Sequence, residues 1–366
     1  MIDRRTFMGA LGAAALPGAA RATGDRWMLP EWVPHAGCVM AWCSADSVYT
    51  RDEIEAIRVE QAAIARAIAT FEPVTMLVNE GDSASAARQL GWDIQVFVLE
   101  HHDTWTRDTL PVFGLEGGQL TATDWNFNTW GEKFDGYRAD ETLARRFVDA
   151  MPGMRPPMQA AYARSSIVAE GGAIESDGIG TLITTETCLL NPNRNPGLSR
   201  AEVEDALKRD APCREVIWLW GSEADFVTDG HVDGLARFIR PGQVVVEVTD
   251  DKEDPEYHDM QENAVRLEAA RDARGERLEV IRLNRPRWEE MPERGDDFSA
   301  SYVNSYFPNG GIVMPRFGDA ARDEAARALF AELEPDRRIV QLDIPNIAEG
   351  GGGIHCCTMQ IPRLPA

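Results

Sequence analysis

One local pattern recurs five times along this 366-residue chain: a small or acidic polar cluster, a short strand-like run, then a turn. It reads TRDTLPVFG (106–114), AEGGAIESDGIGTLIT (169–184), DGHVDGLARFIRPGQVVVEV (229–248), VNSYFPNGGIVMPRFG (303–318) and EGGGGIHCCTMQIP (349–362). Residue type recurs rather than residue identity. Hairpin-like turns stand at Ser176-Asp177-Gly178, Arg240-Pro241-Gly242 and Pro308-Asn309-Gly310-Gly311. Between the copies, apolar residues fall at helical spacing over 51–71, 139–151, 199–210, 256–275 and 323–333, and Ser199 with Glu202 spells a capping box. Strand and helix therefore alternate through about five units. With no Ser/Gly-rich linker or composition shift to mark a boundary, this predicts a single α/β domain of propeller type. In that geometry the polar clusters of successive units converge on one axis and build a site from residues far apart in sequence.

The N-terminus stands outside this pattern. MIDRRTFMGALGAAALPGAARA carries twin arginines, Arg4 and Arg5, then a small apolar stretch, then Ala20-Arg21-Ala22 in an A-x-A arrangement. Residues 1–22 read as a twin-arginine export signal, with residues 23–366 as the mature domain in a periplasmic compartment. Loss of that signal removes three Arg and one Asp and takes the formal charge from −23 to −25. So acidic a body repels nucleic acid and favours cationic partners. No later apolar run is long enough to span a bilayer. The six cysteines (38, 43, 188, 213, 356, 357) show no CxxC, and the six histidines no zinc-ligand spacing, so a zinc site is not expected. A Cys38–Cys43 disulfide is disfavoured, because an offset of five in one strand puts the sulfurs on opposite faces. A Cys188–Cys213 pairing stays open, and so does assembly into a homo-oligomer.

Five residues of the polar clusters can carry chemistry: Asp108, Glu170, His231, Asp233 and Cys356. Their separations of 62, 61, 2 and 123 residues approximate one unit, one unit, nothing and two units. His231 and Asp233 share a face if their segment is extended, which suits acid–base work beside cation recognition. Asp108 lies near Trp105, and a carboxylate next to an aromatic ring can hold a planar cation, although an Arg107–Asp108 structural ion pair competes with that reading. Glu170 precedes two glycines that permit close backbone approach, as does any simple turn. Cys356 follows four glycines, which leave a thiol unshielded; a vicinal disulfide with Cys357 or an inert buried thiol are the alternatives. Each motif is weak alone, and the regular spacing is the stronger signal.

These stretches, with LPEWVPHAGCVMAW (29–42), DTWTRDTLPVF (103–113), WNFNTWGEKF (125–134), EGGAIESDGIGTLITTETCLLNPNRNP (170–196) and ASYVNSYFPNGGIVMPRFGD (300–319), resemble the agmatine deiminase and Porphyromonas-type peptidylarginine deiminase family of guanidine-modifying enzymes. The resemblance covers essentially the whole mature chain in order. It implies the five-unit α/β propeller called the pentein fold, Cys356 as nucleophile, His231 as general acid and base, and Asp108, Glu170 and Asp233 as guanidinium-binding carboxylates. It implies no cofactor and a small cationic guanidino substrate as partner: agmatine, or alternatively free or peptidyl arginine. Trp105 and Trp130 are candidates to line the substrate's aliphatic chain. A non-catalytic periplasmic guanidine or polyamine binder is the reading from another class, and a paired Cys356 and His231 argue against it, since a binder needs no thiol.

Overall fold

The computed structural model describes residues 26–364 except 46, 48, 292, 293 and 296; the predicted export signal lies outside the described residues. Among those residues the strands form five small sheets. The first holds His35–Ala41, Val74–Val78 and Gln95–Val98, joined at its edge by the C-terminal strand Met359–Pro362. The second holds Arg26–Met28, Val112–Glu116, Gln119–Asp124 and Ala161–Arg164. The third is Glu175–Ser176, Thr181–Thr185 and Glu215–Leu219; the fourth is Ala236–Arg240, Gln243–Val248 and Glu279–Asn284. The fifth pairs Gly311–Arg316 with Arg338–Asp343, and Tyr306 bridges Val313 antiparallel beside it.

One connection repeats in all five. An antiparallel pairing is followed by a helix and then a strand added in parallel. A parallel strand needs a crossover, and a helix supplies it. The crossovers are Arg51–Ala69, the broken pair Arg138–Glu141 and Leu143–Ala150, Arg200–Asp210, Tyr257–Ala269 and Ala320–Leu333. These are the five helices expected from periodicity, with changed ends. Helix Arg200–Asp210 starts on the predicted box, with both reciprocal bonds of Ser199 and Glu202 present, and Arg51–Ala69 starts on a second box, Thr50 with Glu53. The helix predicted to reach 275 stops at Ala269: Asp272 accepts from the backbone of Arg274 and Glu276, and Gly275 takes φ +81°, which closes a turn instead.

Apolar packing links the sheets in order. One cluster joins residues of the first, second and third sheets (Val39, Phe113, Leu182), another the third and fourth (Ile217, Val244), another the fourth and fifth (Val245, Met314), and another the fifth and first (Val313, Met40). Among the described residues no helix is long and apolar enough to cross a membrane. All six cysteines are free thiols, which answers the open Cys188–Cys213 pairing and leaves Cys356 and Cys357 unlinked.

Two local expectations fail. His231–Asp233 is not extended: Asp229 and Gly230 take φ +60° and +86°, and Val232–Gly234 turn as a short 3₁₀ helix. Ile354–Cys357 is likewise a tight turn, closed by Cys357 N–H to the Gly353 carbonyl and Thr358 N–H to the His355 carbonyl, and the strand starts only at Met359. The opposite-face argument for the two cysteines therefore rests on the wrong conformation, although the turn also separates the two side chains.

Candidate active site

The reactive side chains sit on the turns that lead into the hairpin strands. Asp108 lies in the short helix Thr106–Thr109, which Leu110-Pro111 ends, and the Arg107 amide donates to the Cys356 carbonyl at 3.0 Å. That bond ties the second unit to the last. Asp108 Oδ2 accepts from Trp130 Nε1 at 2.9 Å and Oδ1 from the Gly172 amide at 3.0 Å. Arg107 turns away to Glu31 at 3.2 Å, so the competing Arg107–Asp108 ion pair does not form.

Glu170 is fully buried. Its Oε1 accepts from Arg194 Nε at 2.6 Å and its Oε2 faces His231 Nε2 at 3.3 Å. The other imidazole nitrogen, Nδ1, is buried without a hydrogen-bond partner and stands 3.7 Å from Asp108 Oδ1. Asp233 Oδ2 meets His355 Nδ1 at 2.7 Å and Cys356 Sγ at 3.6 Å. Asn304 Nδ2 donates to the same sulfur at 3.1 Å, while its Oδ1 accepts from the amides of His355 and Cys356. The structure thus brings Asp108, Glu170, His231, Asp233 and Cys356 into one buried cluster, as their spacing suggested.

Gly172 packs directly against them. A Cβ added there would fall 2.6 Å from His231 Nδ1, 2.9 Å from Asp108 Oδ1 and 3.1 Å from Asp233 Oδ1, so only a glycine fits this close contact. Two carboxylate oxygens and an imidazole edge thus converge here, and the Cys356 sulfur stands beside Asp233.

Electrostatics follow from burial. Desolvation first, with Asp233 and Asp108 adding to it, pushes the Cys356 thiol well above its ordinary range. Desolvation also raises Asp108 to about 6; Asp233 and Glu170 contribute, while His231 pulls the other way. Burial opposes the charged form of Glu170, but Arg194 and His231 outweigh it and hold the carboxyl at about 2. For His231 burial works against the imidazolium, yet Asp108, Cys188 and Glu170 win and its pKa lies well above the usual histidine value. The result is a protonated imidazole, a neutral thiol and an excess of carboxylate that awaits a cation.

Trp130 and Trp105 support this arrangement in different ways. Trp130 holds Asp108 from a backbone at φ +53°, within a segment where Asn126, Thr129 and Glu132 also take positive φ. Such conformations cost about 1–3 kcal/mol each and persist where the surroundings over-determine them. Here Asn128 Oδ1 accepts from the Gly131 amide, and the side chains of Asn193 and Arg194 leave Gly131 no room for a Cβ. Trp105 packs under the glycine-rich loop, where a Cβ on Gly352 would lie 2.4 Å from its ring.

Sequence reasoning missed the supporting residues. Glu31 accepts from His355, Arg107, Arg237 and the Phe307 amide, and so anchors the His355 that holds Asp233. Asn304 and Arg194 were equally unmarked. Their signal was present in LPEWVP, ASYVNSY and NPNRNP, but an isolated Glu, Asn or Arg has no local spacing to betray it. The metal question also changes: Glu170, Cys188 and His231 offer three ligand atoms within 4.8 Å of one another. The second oxygen of that Glu170 already carries the Arg194 guanidinium at 2.6 Å, a fixed positive charge that disfavours an added cation.

The family model for Porphyromonas-type peptidyl-arginine deiminase matches residues 27–362. An agmatine deiminase of Ectopseudomonas mendocina (strain ymp) is 38% identical over 362 aligned positions, spanning 92% of this chain and 96% of the relative. An agmatine deiminase of Pseudomonas aeruginosa (strain LESB58) is 36% identical, over 93% and 96% of the two chains. The solved agmatine deiminase of Enterococcus faecalis superposes with a TM-score of 0.85 at 29% identity, covering 93% of this chain and 96% of its own. A binder without catalysis has no support among these relatives. With its buried cysteine, histidine and carboxylates in place, the chain belongs to the Porphyromonas-type peptidyl-arginine deiminase family.

Proposed function

We propose that this chain is a guanidine deiminase that converts agmatine to N-carbamoylputrescine and ammonia. The buried convergence of Asp108 and His231, 3.7 Å apart, with Asp233 3.6 Å from the Cys356 sulfur carries this reading, because paired carboxylates suit a planar cation and a sulfur stands next to them. The names of the relatives support agmatine as the substrate. Five sheets, linked in order by apolar clusters that run from the fifth back to the first, support a closed five-bladed ring with the site at its axis.

In this mechanism Asp108 and Asp233 fix the guanidinium plane and cancel part of its charge. Burial and then the Asp233 and Asp108 carboxylates raise the Cys356 thiol; the bound cation offsets the carboxylate part, and the thiol loses its proton to water. The thiolate attacks the guanidinium carbon, forming an S–C bond and a tetrahedral adduct. His231, already an imidazolium oriented by Glu170, protonates one nitrogen through Nδ1, and the C–N bond breaks to release ammonia. An S-alkylthiouronium remains. The neutral His231 takes a proton from a water that adds to the same carbon, and collapse expels the thiolate and leaves the ureido product. No step calls for a metal or an organic cofactor.

The test is an assay of ureido product from agmatine, free arginine and arginyl peptides, with reduced protein recovered from the periplasmic fraction. Product from agmatine is expected. No product from any guanidine sinks the enzyme reading, and recovery from the cytoplasm alone sinks the export reading of residues 1–22. pH provides a second check. Asp108 has its pKa raised to about 6, so below that pH it gains a proton and stops holding a cation. The KM for agmatine should therefore rise as pH falls through about 6, approaching tenfold per unit. A KM that stays flat from about pH 5 to 8 would contradict the role given to Asp108.

A further inference from the structure

His355 takes no part in the mechanism above, yet two carboxylates grip it from opposite sides. Its Nδ1 meets Asp233 Oδ2 at 2.7 Å and its Nε2 meets Glu31 Oε2 at 2.7 Å. All three side chains are buried. An ionised carboxylate only accepts hydrogen bonds, so both ring nitrogens donate and the ring carries a positive charge. Glu31 is fixed in turn. Arg107 Nη2 and Arg237 Nη2 donate to it at 3.2 and 3.1 Å, and the Phe307 amide donates at 2.7 Å. A row of alternating charge thus runs from the two arginines through Glu31 and His355 to Asp233.

Asp233 needs that support. Its Oδ1 and that of Asp108 lie 3.1 and 2.9 Å from the same point, where a Cβ on Gly172 would stand. Two buried carboxylates so close tend to leave one of them protonated. Asp108 goes that way: burial raises it to about 6, with Asp233 and Glu170 adding and His231 opposing. Asp233 goes the other way. Burial opposes its charge, but His355 outweighs burial, His231 and Arg107 help, and its pKa lies below the ordinary aspartate value. The Cys356 thiol is its remaining titratable neighbour, at 3.6 Å. Glu31 is held ionised in the same manner: burial is outweighed by Arg237, His355 and Arg107. Glu175, a further carboxyl in the field of His355, is raised by burial to about 7 and adds little negative charge in acid.

We propose that His355 and Glu31 are positioning residues for the reaction, which keep Asp233 charged and directed at the guanidinium of the substrate. Asp233 Oδ2 is taken up by His355 and the sulfur, and Oδ1 is left to face the cluster. The two carboxylates that hold the cation then differ: Asp108 gains a proton in mild acid and Asp233 does not. The inference rests on the deiminase reading.

The test is the pH dependence of KM for agmatine between about pH 4 and 8. In the wild type KM should rise about tenfold per unit below about pH 6, because Asp108 alone is protonated. His355→Asn keeps an N–H for Asp233 and removes the charge of the ring. Glu31→Gln presents an N–H to His355 Nε2, so the ring gives up that proton and its charge. In both variants Asp233 should titrate with Asp108, and KM should rise about hundredfold per unit at the acid end while staying within about tenfold of wild type at about pH 8. A role in packing alone would change KM equally at every pH. A wild-type rise of about hundredfold per unit overturns the inference without any variant, and so do variants that keep the wild-type slope of about tenfold. Absence of ureido product from agmatine in the wild type would instead sink the deiminase reading, and this inference with it.

Discussion

Replacing Cys356 by Ala should abolish turnover, lowering kcat by at least ~10⁴-fold, the scale seen when a nucleophile is removed from a preorganised site. Cys357→Ala should leave kcat within about threefold, because that sulfur makes no contact with the reacting groups. Two neighbouring thiols thus separate completely. The Cys356 sulfur lies 3.1 Å from Asn304 Nδ2 and 3.6 Å from Asp233 Oδ2. The Cys357 sulfur is fully buried in an apolar cluster, with Thr104 Oγ1 at 3.9 Å. Its loss should appear as stability instead, about 1 kcal/mol for a small buried group, read by denaturant unfolding. Steady-state kinetics on the two variants decide the matter, and full activity in Cys356→Ala would overturn the assignment.

The second large effect concerns a residue with no side chain. Gly172→Ala should lower kcat/KM for agmatine by at least ~10²-fold while the protein stays folded, since misplacement of about 1 Å at a reacting centre has that scale. The added methyl would clash with His231, Asp108 and Asp233 and push them aside, although each is held by other bonds: His231 by Glu170, Asp108 by Trp130, and Asp233 by His355. The contacts are side-chain tips, so they can shift without unfolding the chain. Gly171→Ala provides the contrast. Its Cβ would lie 2.1 Å from the Arg107 carbonyl oxygen, a backbone atom, and the clash should cost stability as well as activity. Thermal unfolding of the two variants beside their kinetics separates the cases. A fully active Gly172→Ala enzyme would show that the close packing of His231, Asp108 and Asp233 on Gly172 does not matter to turnover.

The residues that the fold gathers into the candidate site were legible in advance because they recur. Asp108, Glu170, His231, Asp233 and Cys356 each occupy the polar cluster of a unit, and the interval between clusters marks them out even where single motifs are weak. The geometry inside each cluster was not legible. His231 and Asp233 look like alternate residues of a strand, but Asp229 and Gly230 at positive φ turn the chain before them. Cys356 and Cys357 look extended, but hydrogen bonds to Gly353 and His355 wind them into a turn. Before His231 the Asp-Gly pair at positive φ overrides the local β pattern.

Trp130 illustrates the same boundary. As an isolated aromatic it was a candidate to line an aliphatic chain. Its indole N–H instead holds Asp108, from a strained backbone that Asn193 and Arg194 enclose. The function of such a residue lies in what surrounds it, and those surroundings come from a different unit of the chain.

Local order alone settled the α/β class and the five helices, because helix periodicity and capping boxes act over a few residues and are written there. Tertiary structure decided which groups carry charge and which are held still. His355 reaches Glu31 across 324 positions, Cys356 reaches Asp233 across 123, and Glu170 reaches Arg194 across 24. Those contacts exist only once the chain has folded and excluded water. Exclusion of water is also what raises the Cys356 thiol and Asp108 and lets Arg194 hold Glu170 ionised, so the chemistry of the site belongs to the packed molecule and not to its motifs.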